Sequence, residues 1–240
     1  MMQLVAFGDP IRSWLHRKPS AILFAIADMK IIRSLDAIEL ASDVVLTIGT
    51  FDGVHLGHRY LLEQLVRRAR DTGRTSAVLT FHPHPRILLH PELRPAYLSS
   101  PEERAVLLES LGIELLVILP FTRELAETPA ETFVQQLCLR LRMRELWVGA
   151  DFALGRNRGG NIASLRDLSA RLGFTLHVID PVRNGDEAIS STRIRNLLLK
   201  GQVADAARLL GHPYALSGTV GPGAQRGRAL GFRTANLNFD

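Results

Sequence analysis

Five short apolar runs recur along the chain, at 44–48, 76–81, 115–119, 146–148 and 175–179. Such a run does not by itself separate a buried strand from a buried helix segment. Val44-Val45-Leu46-Thr47-Ile48, however, is rich in β-branched residues and is stopped by Gly49, which favours a strand. Between the runs lie stretches with apolar residues at helical spacing, 57–71, 101–111, 129–141 and 164–172. Thr128-Pro129-Ala130-Glu131 reads as a capping box with proline at the first helical position, and Ser164-x-x-Asp167 as a weaker relative of it. This alternation predicts an α/β fold, a doubly wound parallel sheet with helices on both faces. Two further helical stretches, 192–200 and 203–210, end at Gly211 and Pro213. From Tyr214 onward glycines crowd the chain, and a different strand-and-turn unit is expected.

Sheets of this class bind ligands beyond the carboxyl ends of their strands. The first, second and fourth predicted strands end in Gly49-Thr50-Phe51-Asp52, Phe81-His82-Pro83-His84 and Gly149-Ala150-Asp151-Phe152, so the chemistry-bearing residues collect on one rim. The first continues as Gly53-Val54-His55-Leu56-Gly57-His58, where a strand turns into a helix. Backbone N–H groups and a positive helix end face phosphate at such turns. His55 and His58, three positions apart, share one face of the first helical turn and can donate to phosphoryl oxygens. The bland alternative is a helix start with incidental histidines, and a second motif weighs against it. Ile189-Ser190-Ser191-Thr192-Arg193-Ile194-Arg195 opens another helix. One serine there would be an N-cap, but three hydroxyls and two arginines exceed what a cap requires. With the helix N-terminus they make a cradle for a triphosphate.

These two motifs together resemble the nucleotidyltransferase superfamily. The fuller strings 49–58, Phe81-His82-Pro83-His84-Pro85, Val148-Gly149-Ala150-Asp151-Phe152-Ala153-Leu154-Gly155 and Gly211-His212-Pro213-Tyr214 resemble bacterial bifunctional riboflavin kinase/FMN adenylyltransferase, also called FAD synthetase. The match covers 29–214 in family order. The resemblance implies a Rossmann-like nucleotidyltransferase domain over 29–213, substrates ATP and FMN, and transfer of AMP to FMN to give FAD and pyrophosphate. His55, His58 and Arg195 would then be catalytic. Gly49, Phe51, Asp52, Gly53, Gly57, Ser190, Ser191 and Thr192 would hold ATP and its phosphates. Phe81, Pro83, His84, Asp151, Phe152 and Arg158 would bind FMN. Asp52 is placed either to assist Mg²⁺ or to cap the following helix. Mg²⁺ is expected to arrive with the nucleotide phosphates, and no metal site of the protein alone is expected. Thr122 stands where the family carries Asn.

Gly231-Phe232-Arg233-Thr234-Ala235-Asn236 resembles the opening motif of the riboflavin kinase module, in which Thr234 and Asn236 would help hold metal and ATP. Arg233 replaces the family's proline. Residues 214–240 are therefore expected to be a truncated start of that domain, an incomplete β-barrel remnant without kinase activity of its own. Residues 1–28 match the family least. Arg17-Lys18 before the apolar stretch 21–27 has a trace of a signal peptide, but that stretch is short for one and far below a membrane span. A dispensable N-terminal extension is expected there.

Composition adds limits. The chain has 240 residues, 46% hydrophobic and 22% charged, enough for one sizeable core. Its net charge of +5 comes almost wholly from arginine, suits an enzyme handling nucleotide and flavin phosphates, and forms no basic–aromatic ladder. No nucleic-acid or membrane partner is expected. The single cysteine, Cys138, has no intrachain partner, in keeping with a cytoplasmic protein. Three rival readings remain: another transferase of the superfamily, an aminoacyl-tRNA synthetase relative (which would carry a Lys-Met-Ser-Lys-Ser-like loop, absent here), and an inactive flavin-binding remnant.

Overall fold

A computed structural model describes residues 29–36, 40–89, 96–221, 231–232 and 236–238. The expected extension 1–28, and Arg233 and Thr234 of the kinase-like string, lie outside the described residues.

Six strands form one parallel sheet: β1 (Lys30–Ile32), β2 (Val44–Ile48), β3 (Thr75–His82), β4 (Leu115–Pro120), β5 (Met143–Gly149) and β6 (Thr175–Ile179). Their order is β1-β4-β3-β2-β5-β6. Five of these are the predicted strands. The sixth, β1, has only three residues, too few to show a period, and pairs with β4 at the sheet edge. The chain winds outward from β2 through β3 to β4, then returns to lay β5 on the other side of β2. That reversal opens a crevice between the carboxyl ends of β2 and β5.

The helices are α1 (Leu56–Asp71), α2 (Pro85–Leu89), α3 (Pro101–Ser110), α4 (Arg123–Glu127), α5 (Ala130–Arg140), α6 (Ile162–Leu172), α7 (Ser191–Leu199) and α8 (Val203–Leu210). Alternate residues of each central strand feed opposite cores, which is why β2 is buried throughout. Leu46 and Ile48 pack with Val134 of α5 and Leu165 of α6. Val45 packs with Leu62 and Leu65 of α1 and Leu108 of α3. A third cluster, from Leu98 and Ile189 to Leu210, seats α7 and α8. Two antiparallel pairs stand outside the sheet: β7 (Arg183–Asn184) with β8 (Glu187–Ala188), and β9 (Thr219–Gly221) with β10 (Asn236–Asn238). The second pair is what the described residues show of the strand-and-turn unit expected after Tyr214.

Two capping expectations are corrected. Thr128 does not cap α5; it ends α4, a helix of five residues too short to show a period, and donates its hydroxyl to the Glu124 carbonyl at 2.9 Å. Pro129 takes the cap position of α5 without a side-chain bond. Helix α6 starts earlier than expected because Asn161, not Ser164, caps it, accepting from the Ser164 N–H at 3.1 Å. Thr122, in the place of the family's Asn, caps α4 by accepting from the Leu125 N–H at 3.2 Å. Among the described residues no helix is long and apolar enough to cross a membrane.

Candidate active site

The turn from β2 into α1 is held in an unusual backbone conformation. Phe51, Gly53 and Val54 all have positive φ, at 46°, 76° and 39°. Glycine adopts this readily, but for β-branched Val54 it is strained, and such strain persists only where surrounding contacts enforce it. Here they do. The Gly53 N–H donates to Ser99 Oγ at 3.0 Å, and His212 Nε2 donates to the Gly53 carbonyl at 3.0 Å. The Asp52 side chain between them is fully buried.

Out of this turn come the two histidines. His55 caps α1, its Nδ1 accepting from the His58 N–H at 3.3 Å. With Nδ1 so engaged, the neutral ring carries its proton on Nε2. The rings stack, with centroids 3.6 Å apart and planes at 16°, and Phe51 meets His58 edge-on at 5.0 Å. A Cβ on Gly57 would stand 3.2 Å from the His55 ring, so glycine there leaves room for the stack. Burial pushes the His55 pKa down to about 4, against the pull of Asp52. Burial also drives His58 well below its usual value, helped by the charge of Arg104 and, at pH low enough to protonate it, by His55. Both imidazoles are therefore neutral near pH 7. His58 is less open than a rim position suggests, since its Nδ1 is buried without a partner among the described residues.

Facing the histidines is the N-terminus of α7. Ser190 is its N-cap and accepts from the Arg193 N–H at 3.2 Å, while Ser191 Oγ donates to the Asp52 carbonyl oxygen at 3.0 Å. The Ser191 proton is thereby committed to structure, whereas Ser190, an acceptor in the cap, keeps its O–H to donate. Thr192 keeps its hydroxyl free among the described residues.

The Asp52 carboxylate is the centre of the rim. It accepts from the N–H groups of Leu98 and Ser99 at 3.0 and 3.1 Å, from Arg195 Nη2 at 2.5 Å and from Arg104 Nη2 at 3.4 Å. Asp52 therefore neither caps α1 nor lies open to Mg²⁺; both expectations are corrected. A carboxylate with this many donors is sealed from solvent. Arg195 also donates from Nε to the Ala96 carbonyl at 2.7 Å.

A cavity of about 620 Å³ lies over the β2–β5 crevice. Gly49, Phe51, Gly57, His55 and His58 line one wall. Ser190, Ser191, Thr192 and Arg195 line another. His84, Asp151, Phe152 and Arg158 are also among the lining residues. Burial pushes His84 down to about 4. Arg158 Nη2 donates to the Asp151 carbonyl at 3.0 Å, which closes the loop after β5. Asp52 and Gly53 lie behind the wall. Phe81 and Pro83 are also outside the lining: Phe81 packs edge-on against Phe121, 5.5 Å between centroids, and Pro83 follows a cis His82–Pro83 bond. Asn236 begins β10, outside this lining. Among the described residues no group of three or more His, Cys, Asp or Glu could hold a metal ion.

Sequence reasoning missed Arg104, Tyr97, Ser99 and Arg86. Arg104 is 4% exposed, and its guanidinium lies 5.9 Å from the centroid of the Tyr97 ring. The available signal was a charged residue on the same helix face as Ala105 and Leu108. Arg86 lines the cavity beside His84 and carried no sequence signal.

Comparison with known proteins agrees with this arrangement. The FAD synthetase family model matches residues 37–193, and a riboflavin kinase family model matches residues 210–240. The chain is 34% identical over 197 residues to the bifunctional riboflavin kinase/FMN adenylyltransferase of Listeria monocytogenes, covering 82% of this chain and 62% of that protein. It is 37% identical over 212 residues to the protein of the same description from Escherichia coli K12, covering 87% and 68%. A solved structure described as a macrolide-efflux protein of Streptococcus pneumoniae superposes with a TM-score of 0.76 at 30% identity, covering 88% of this chain and 68% of that one. The chain thus spans 62 to 68% of the length of these relatives. With the first family model matching well over half of its residues, the chain belongs to the FAD synthetase family.

Proposed function

We propose that the chain is an FMN adenylyltransferase, transferring AMP from ATP to FMN to give FAD and pyrophosphate. The observation that carries the reading is the neutral, stacked His55–His58 pair facing the N-terminus of α7 and Arg195 across one cavity at the switch point of the sheet. In this reaction an oxygen of the FMN phosphate forms a bond to the α-phosphorus of ATP, and the bond from that phosphorus to the β-phosphate oxygen breaks. The nucleophile is already an anion, so no base is required. Catalysis rests on alignment and on donors for the charge that grows on the α-phosphoryl oxygens.

The Nε2–H of His55 is such a donor, fixed because Nδ1 is occupied, and His58 stands against it. Their low pKa values keep them as neutral donors that need no discharge between turnovers. The free N–H groups and positive end of α7 receive the β- and γ-phosphates, joined by the Thr192 hydroxyl. Arg195 spends two of its five N–H donors on Asp52 and Ala96, which leaves three for the leaving pyrophosphate. Gly49 gives the backbone close access beside Phe51. On the flavin side, Phe152 offers an apolar surface and Arg158 a cation for the FMN phosphate. Mg²⁺ would arrive held by the ATP phosphates and not by a cage of this chain's residues, and would supply charge neutralisation there. ATP and FMN are the small-molecule partners, and the cytoplasm is the compartment that holds both.

The test is direct. Purified chain incubated with FMN, ATP and Mg²⁺ should convert FMN to FAD with one pyrophosphate released per FAD, resolved by chromatography. FMN and ATP recovered unchanged would overturn the reading.

A further inference from the structure

We infer that Arg104 is a positioning residue for the nucleotide phosphates: by sharing the Asp52 carboxylate it lets Arg195 stay anchored while remaining cationic toward the cavity. The inference rests on the adenylyl-transfer reading of the site. Arg195 has to satisfy two demands that conflict. It must be held in place, and Asp52 does that from behind at 2.5 Å. A carboxylate at that distance would also cancel the charge that phosphates are meant to meet. Arg104 resolves the conflict. Its Nη2 approaches the same Asp52 carboxylate at 3.4 Å and the Ser99 carbonyl at 3.2 Å, so the cluster holds two guanidiniums and one carboxylate.

The net positive charge of that cluster has one outlet. The Arg104 side chain is 5% exposed, Asp52 1% and Arg195 16%, and only Arg195 among them lines the cavity. Arg104 is also imperfectly satisfied as a structural group. Its Nε is buried with no partner among the described residues, a costly placement if it served stability alone. The Tyr97 ring takes up part of the guanidinium charge, and the Tyr97 hydroxyl accepts from the His84 N–H at 2.8 Å, tying this interior group to a second cavity-lining residue. A methionine of similar length would fill the space without the charge.

The experiment compares Arg104→Met, the double variant Arg104→Met/Asp52→Asn, and the parent chain. Michaelis constants for ATP and FMN are measured together with kcat, and melting temperature is followed in parallel. In Arg104→Met, Asp52 and Arg195 become a closed neutral pair. The KM for ATP should rise about tenfold, the scale of one unit charge several ångströms away in a partly buried site, with the KM for FMN unchanged. The double variant removes the carboxylate charge as well and returns the net charge to that of the parent, with Arg195 still held by its Nε bond to the Ala96 carbonyl. Its KM for ATP should recover to within about threefold of the parent, a rescue that lost packing would not give. A folded Arg104→Met variant with parental KM for ATP would overturn the inference, as would a double variant that is worse than the single one. If Arg104→Met does not fold, the double variant decides alone. Folding with near-parental KM for ATP supports the inference, and failure to fold or to bind ATP overturns it. A parent chain that forms no FAD overturns the functional reading itself, which is a separate outcome.

Discussion

Two buried carboxylates among the described residues each gather two arginines, at opposite ends of the sheet, and they are built for different work. At the base, Glu145 near the amino end of β5 accepts from Arg68 Nε at 2.9 Å, Arg74 Nη1 at 2.5 Å and His177 Nε2 at 2.9 Å. At the rim, Asp52 holds Arg104 and Arg195. The carboxylates are alike, each 1% exposed in the side chain. The cations are not. Arg68 and Arg74 are 46% and 29% exposed, whereas Arg104 and Arg195 are 5% and 16%. The base cluster is a clip whose arginines reach water, tying the end of α1 to β5. The rim cluster keeps its charge out of water and passes it to a cavity. Burial of the cation, not of the carboxylate, separates a structural clip from a functional holder.

That difference sets the expected costs. Asp52→Asn should have the largest effect, because it leaves the Arg104 charge buried without its counter-ion. The loss of stability should be about 3–5 kcal/mol, read from urea unfolding. A loss below about 1 kcal/mol would mean that water reaches Arg104 after all. Arg195→Lys retains charge but loses the planar fork that serves Asp52, Ala96 and phosphate together. The KM for ATP should rise about tenfold, equivalent to about 1.4 kcal/mol. Arg193, paired with exposed Glu187, should tolerate the same change, and equal effects at both positions would point to general electrostatics.

Glu145→Gln should cost about 1–3 kcal/mol, less than Asp52→Asn, because Arg68 and Arg74 turn to solvent when released. Burial alone would raise the Glu145 pKa, but the bond and charge of Arg68 and the charge of His177 outweigh it and hold it below the usual value. This contribution is present above the unfolded value and is lost as the pH falls below it, toward the lowered folded value.

The last expectation concerns the pH dependence of the rim. His55, His58 and His84 all have folded pKa values below 6.5, so the unfolded chain binds more protons as the pH drops. Stability should therefore decline as the pH falls from about 6.5, and the part of that decline above about pH 5.5 lies clear of most carboxylate titration. A flat urea midpoint across that window would show the rings to be solvated.

Much of the rim could be read from the sequence because it is built from local signals. Short apolar runs, the first of them β-branched and stopped by Gly49, located five strands, and strand ends carrying histidines and hydroxyls located the crevice. The residues that converge on one cavity, from His55 to Arg195, were visible as two strings. What escaped was non-local or short. Strand β1 and helix α4 are too brief to show a period, and the hidden α4 is why Thr128 looked like a cap for α5. Asp52 was misread because its partners are 46 to 143 residues away in sequence. Nothing local shows that a carboxylate beside a helix start will be sealed by two arginines. Apolar spacing likewise does not tell an aromatic that lines a cavity from one packed behind it, as Phe81 packs on Phe121.

The most direct test sets the two ends of the sheet against each other. FAD formation is measured for His58→Ala and Glu145→Gln at a temperature where circular dichroism shows both folded. His58→Ala should lose roughly 10²-fold or more in kcat, the scale of one lost transition-state donor, while Glu145→Gln keeps parental turnover despite its lower melting temperature. Near-parental turnover in His58→Ala, or equal losses in both variants, would contradict the placement of the chemistry on the carboxyl-end rim.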